Sequence, residues 1–239
     1  MVPAFETINP AGSSRFVLTC EHASNHMPAS CRGLGLPAHE LERHIAYDIG
    51  AAMVARDLAA RLDAPLILSG YSRLLIDCNR PVHSPTAIPA ISESTVIPGN
   101  QEVSGEERQS RAARYYWPFQ NAVSAVLDAR TGRQTLLIAV HSFTPVFKGF
   151  VRPWHAGVLF RRSKGLGLRM VELMAEPGLT IAANEPYTIS DDGDYTIPVH
   201  GEARGLEALL LELRQDLIAS AEGAAAWAIR VERALRALP

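Results

Sequence analysis

Two short apolar runs, each leading into a histidine, constrain this chain most. Phe16-Val17-Leu18-Thr19-Cys20 runs into Glu21-His22, and Thr135-Leu136-Leu137-Ile138-Ala139-Val140 runs into His141. Both have the length and β-branched content of buried strands. In open α/β sheets, ligands collect at the carboxyl ends of the strands. Two imidazoles there can share a metal ion, and a two-histidine, one-carboxylate zinc site with an open position is what a hydrolase needs. The pattern therefore points to an enzyme rather than a binding module.

The rest of the chain reads as strands alternating with helices, the mark of an α/β fold. Residues 1–14 form a polar lead-in. Helical spacing is expected over 38–62, through Ile45, Ile49, Met53 and Leu58. Strands are expected at 65–69 and 74–77. Residues 82–103, with Pro85, Pro89 and Pro98 inside and Pro81 just before, read as a long irregular loop of the kind that carries function. A helix is expected over about 104–130, with Ser104 and Glu107 as a capping box. Further strands are expected at 135–140, 156–160 and 208–213, and helices at 165–176 and from about Ser220. Residues 184–204 read as a polar loop. No linker divides the chain, so 1–239 is expected to form one domain.

Composition excludes more than it selects. A formal charge of −2 over 239 residues offers no basic face for nucleic acid or an anionic membrane. Three cysteines without CxxC spacing argue against a disulfide framework or an all-cysteine zinc site. No apolar stretch reaches membrane-spanning length and no signal-like segment opens the chain, so the expected setting is a reducing cytoplasm.

Beyond His22 and His141, a third ligand should be a carboxylate. Asp48 is a candidate, an acid inside an apolar helical pattern where an unpaired charge is costly. Glu21 is another, although strand alternation would turn it away from His22. Arg80, closing the run Leu74 to Asp77, can hold a substrate carboxylate through two parallel hydrogen bonds, with Asn79 and Arg73 assisting. Glu212 lies at the end of the apolar run Leu209-Leu210-Leu211, where desolvation would raise its pKa toward the range of a general base. His200, on the polar loop, can orient substrate or donate a proton. There is no GxSxG elbow, GxGxxG or P-loop.

Several blocks, in order, resemble the N-formylglutamate amidohydrolase family. They are Cys20-Glu21-His22-Ala23-Ser24-Asn25-His26-Met27-Pro28, His44-Ile45-Ala46-Tyr47-Asp48-Ile49-Gly50 and Ser72-Arg73-Leu74-Leu75-Ile76-Asp77-Cys78-Asn79-Arg80-Pro81. The blocks Ile97-Pro98-Gly99-Asn100, Tyr116-Trp117-Pro118-Phe119, Val140-His141-Ser142-Phe143-Thr144-Pro145 and Leu211-Glu212-Leu213-Arg214-Gln215-Asp216-Leu217 continue the match. The resemblance implies a three-layer αβα fold with a central mixed sheet, phosphorylase/hydrolase-like and similar to zinc carboxypeptidases and aspartoacylase. It implies one zinc ion (Zn2+) per chain on His22 and His141, an Asn79–Arg80 grip on a small substrate bearing a carboxylate, Glu212 as base, and cleavage of a formamide to an amino acid and formate. Two positions depart from the pattern. The HxxE carboxylate of the relatives is Asn25 here, which leaves the third ligand open, and Gln120 stands where many members carry histidine. Other N-acyl amino acids or small peptides are the alternative substrates, and a ligand-binding protein without metal is the non-catalytic alternative.

Overall fold

In a computed structural model that describes residues 2–239, the strands Phe16–Cys20 (β2), Leu136–Phe143 (β6) and Glu207–Arg214 (β11) are buried along nearly their whole length, because helices cover both faces of the sheet they form. The remaining strands are β1 (Phe5–Ile8), β3 (Leu66–Ser69), β9 (Ala156–Leu159) and β10 (Ile181–Ala183), with two small hairpins, β4 (Ile91–Ser92) with β5 (Thr95–Val96) and β7 (Val146–Phe147) with β8 (Phe150–Val151). The helices are α1 (Ala51–Leu62), α2 (Gly105–Arg111), α3 (Trp117–Asp128), α4 (Lys164–Met174) and α5 (Ala221–Arg236). The main sheet has the order β1-β3-β2-β6-β11-β9-β10. It is mixed: β3, β2, β6 and β11 run parallel, whereas β1 and β9 pair antiparallel to β3 and β11.

Alternation sorts the side chains into two cores. Phe16, Leu18, Ile138, Val140, Leu209 and Leu211 pack with α1, α4 and α5. Val17, Leu137, Ala139, Ala208 and Leu210 face the other way, against Tyr116, Phe119 and Val123 of the α3 side. The result is the expected αβα layering. Both His141 and Glu212 continue the second set, so they leave the sheet on the α3 face. Because β6 and β11 pair in parallel with Glu212 opposite His141, these two side chains stand next to each other.

The structure corrects several local readings. The lead-in holds β1, paired antiparallel with β3. The helix expected over 38–62 forms only from Ala51. Residues Ala38–Glu42 make a 3-10 turn, and Gly50 at φ +82 resets the chain where a Cβ would lie 2.3 Å from the Ile218 carbonyl oxygen. Asp48 therefore sits in a turn, not on a helix. The run 74–77 is not a strand. Leu74 and Leu75 are apolar because they fill a separate small core with Tyr71, Ile45 and Ile97. The helix expected over 104–130 is interrupted by a wide turn at Ala112–Tyr116, just before Pro118, which has no N–H to continue the ladder. Ser104 Oγ accepts from the Glu107 N–H, but Glu107 turns to Arg111 instead of closing the capping box. The loop 184–204 contains a wide helical turn at Thr196–Gly201.

Candidate active site

β2 delivers Glu21 and His22 at its carboxyl end, and β6 holds His141 two residues before its last residue, Phe143. The Asp48 N–H donates to the His22 carbonyl at 3.0 Å, which ties the turn before α1 to the strand end. Asp48 Oδ2 then lies 3.3 Å from His22 Nδ1 and 3.0 Å from His141 Nδ1, and accepts from the Ser142 N–H at 3.2 Å. All three side chains are buried, and one ligand atom from each lies within 4.8 Å of the other two.

The far nitrogen of each ring meets another carboxylate. His22 Nε2 is 2.7 Å from Asp77 Oδ1, and His141 Nε2 is 2.8 Å from Glu21 Oε2. Asp77 also takes Arg73 through Nη2 at 2.7 Å and Nε at 3.1 Å, and Glu21 accepts from Thr196 Oγ1 at 2.7 Å. A carboxylate on Nε2 keeps a proton there, so Nδ1 is the nitrogen each ring could offer to a cation at the shared point. Metal-binding imidazoles are oriented in this way.

The donor set fits a divalent cation on charge as well as on geometry. Buried carboxylates are costly without compensation. Glu21, Asp48 and Asp77 bring three negative charges, and Arg73 is the one guanidinium hydrogen-bonded among them. The site accordingly favours positive charge. Burial alone would lower the pKa of His141, but hydrogen bonds from it to Asp48 and Glu21 raise it well above the ordinary value. Burial would raise Glu21, yet its bond to His141 holds it down at about 2.

Glu212 lines the same cavity, and its Oε2 has no hydrogen-bond partner among the described residues. Burial pushes its carboxyl up to about 7, against the opposing pull of His141. Gly157, paired with Glu212 across β9 and β11, lets the chain at Glu185 close the wall, since a Cβ there would lie 1.7 Å from the Glu185 carbonyl oxygen. The cavity holds about 640 Å³.

The candidate residues thus divide. His22, Asp48, His141, Glu212, Arg73, Asn79 and Arg80 all face one cavity. Within it, Arg73 is tied to Asp77 and Asp48, and Asn79 holds the loop beyond it, donating to Asp194 at 3.2 Å and accepting from the Tyr195 and Thr196 N–H groups. His200 is not brought to the cavity: it is 2% exposed, and its Nε2 meets Gln120 Oε1 at 2.7 Å. Gln120 in turn donates to the Cys78 carbonyl, so it braces the Asp77–Arg80 segment from below. Asn25 donates to the Leu41 carbonyl and takes no part in the cluster. Sequence reasoning assigned no role to Asp77. Glu21 points away from His22, as alternation expects, and its carboxylate meets His141 instead of serving in the His22–Asp48–His141 group. The available signals were an acid two residues before Asn79-Arg80 at the end of an apolar run, and an alternation that puts Glu21 with Val17 on the sheet face that His141 shares.

An αβα sheet with imidazoles and carboxylates converging at its strand ends defines the scaffold of a hydrolase-type α/β protein. A family model described as N-formylglutamate amidohydrolase matches residues 14–219, and the chain belongs to that family. The chain is similar to a gene product of Agrobacterium tumefaciens, with 37% identity, a TM-score of 0.93, and coverage of 98% of this chain and 94% of the other. It shares its fold with N-formylglutamate amidohydrolase from Ralstonia eutropha JMP134, at 19% identity and a TM-score of 0.70, covering 99% and 97% of the two chains. No curated protein matches. Among the described residues, no helix is long and apolar enough to cross a membrane.

Proposed function

We propose that the chain is a zinc-dependent amidohydrolase that cleaves the linear amide of an N-formyl amino acid, of which N-formylglutamate is one, to the amino acid and formate. His22 Nδ1, His141 Nδ1 and an Asp48 oxygen would hold the ion. When bound, zinc supplies Lewis-acid polarisation of the acyl oxygen and a water whose pKa falls to about 7. Glu212 Oε2 takes a proton from the attacking water and returns it to the leaving nitrogen. Asp77 and Glu21 keep both rings in the Nε2–H form. Arg80 binds the carboxylate of the amino-acid part, which must provide most of the affinity because formyl is so small. The observation that carries this reading is the convergence of both Nδ1 atoms on one Asp48 oxygen, with the unpartnered Glu212 carboxyl lining the same cavity.

A second reading, another N-acyl amino acid or a small peptide, is favoured by the cavity of about 640 Å³, the size of pockets that take drug-sized ligands. The test is metal analysis and hydrolysis of a panel of N-acyl amino acids by the wild type and by His141→Ala. Stoichiometric zinc and formate release from the wild type, both lost in the variant, are expected. Equal zinc and equal rates in the two proteins would reject the proposal.

A further inference from the structure

Arg152 follows β8 directly and is only 5% exposed, yet its guanidinium hydrogen-bonds to no carboxylate among the described residues. A buried cation without a counter-ion is costly unless other groups take over its solvation. Here the rings of Phe143, Phe147 and Tyr187 surround it, with centroids 5.6, 4.8 and 4.8 Å from its Cζ, and aromatic faces attract a cation. Nη1 donates to the Thr144 carbonyl at 3.3 Å, and Nη2 donates to the Tyr187 hydroxyl at 3.0 Å. The Arg152 N–H donates to the Pro145 carbonyl at 2.9 Å, which closes the foot of the β7–β8 hairpin.

Tyr187 lines the cavity together with Glu212. A phenol oxygen that accepts from a guanidinium keeps its own proton for another partner. Among the described residues that proton has no acceptor. Burial raises the phenol's pKa above its ordinary 10, and the Glu212 charge adds to the rise, so the group is a protonated donor at neutral pH. The hydroxyl makes no hydrogen bond to His22, Asp48 or His141, so it stands apart from the metal-binding candidates.

We propose that Tyr187 is a substrate-binding residue whose hydroxyl donates to an oxygen of the bound N-acyl amino acid, and that Arg152 is the positioning residue that holds it there. This rests on the amidohydrolase reading and adds a contact to the same site. A contact made equally before and during the reaction changes KM and leaves kcat alone. With zinc-loaded protein and N-formyl-L-glutamate, Tyr187→Phe should raise KM about three- to tenfold, the usual worth of one hydrogen bond, with kcat within about twofold. An unchanged KM, or a loss confined to kcat, overturns the proposal. Arg152→Met, which keeps an apolar stem among the three rings, should raise KM by a similar factor. In the Tyr187→Phe background the same substitution should add nothing, because it acts through the phenol. An equal Arg152 effect in both backgrounds, or a fall in Tm with KM unchanged, would make Arg152 a packing residue and overturn its role. Calorimetric titration of the four proteins with N-formyl-L-glutamate reads the contact without turnover. Binding that weakens in Tyr187→Phe, with no hydrolysis by the wild type, would sustain the contact and reject the amidohydrolase reading. No binding by the wild type rejects both.

Discussion

His22 and His141 meet edge to face, ring centroids 4.8 Å apart and planes at 83°, and each turns Nδ1 toward the same oxygen of Asp48. Neither ring is free to rotate, because Asp77 and Glu21 hold the opposite nitrogens. The cluster brings two ring nitrogens and one carboxylate to a single point.

Metal content should separate the inner from the outer carboxylates. Asp48→Asn is expected to lose zinc outright after dialysis. Asp77→Asn should keep it at saturating metal but bind it about 10–100-fold more weakly, as outer partners of ligating histidines do. Competition with a chromophoric chelator measures both, and equal affinities in the two variants would contradict the assignment.

Glu212→Gln should retain zinc and the fold while kcat falls about 10²–10⁴-fold, the usual worth of a positioned base. A base works unprotonated, so kcat/KM should rise with pH through the carboxyl's pKa. Burial pushes that value up to about 7 against the opposing pull of His141. The acid limb should therefore lie well above the ordinary 4.5, at about 7, and a pH–rate profile reads it directly.

Asn25 stands where the family resemblance would place a ligating carboxylate, yet its side chain donates to the Leu41 carbonyl at 2.9 Å. Asn25→Ala should leave zinc stoichiometry unchanged and cost about 1 kcal/mol of stability, one hydrogen bond. Metal analysis beside denaturant unfolding checks both halves.

Gly157→Ala puts a methyl against the Glu185 backbone, which cannot yield as a flexible side chain would. The expected cost is about 1–3 kcal/mol, as in overpacked cores. Since the same backbone forms the wall beside Glu212, kcat/KM should drop along with Tm. An unchanged Tm would show that the loop adapts freely.

Acid sensitivity has a separate source away from the cluster. Burial would raise the pKa of Glu202, but Arg161 and the Arg162 N–H hold it below the usual carboxylate range. A depressed folded-state pKa stabilises the fold above the ordinary carboxylate value, and that contribution disappears as pH falls through the folded value. Glu202→Gln should therefore lower Tm at pH 7, by about 1–3 kcal/mol in stability, and show a shallower loss between pH 5 and 3 than the wild type. Thermal melts across that range are the measurement.

Local pattern carried much of the architecture. The apolar runs at Phe16, Leu136 and Ala208 are strands, and the amphipathic segment after Ser220 is a helix, because burial on one or both faces leaves a periodic trace in the chain. The same logic failed where apolar residues are buried without belonging to a periodic element. Leu74 and Leu75 fill a side core between loops, and Ile45 and Ala46 sit in turns that Gly50 ends. His200 read as a loop residue because its neighbours are polar, whereas it is enclosed by packing against distant parts of the chain, Gln120 among them.

By itself the sequence determined the central strands of the sheet, that histidines leave two of them, and that an acid lies near the end of a third. Only the tertiary structure decided that Asp48 comes to both rings, that Asp77 and Glu21 brace them, and that Glu212 stands beside His141. Those relations depend on strand register and on where turns between elements fold back. Such contacts join residues far apart in the chain, so no local periodicity records them.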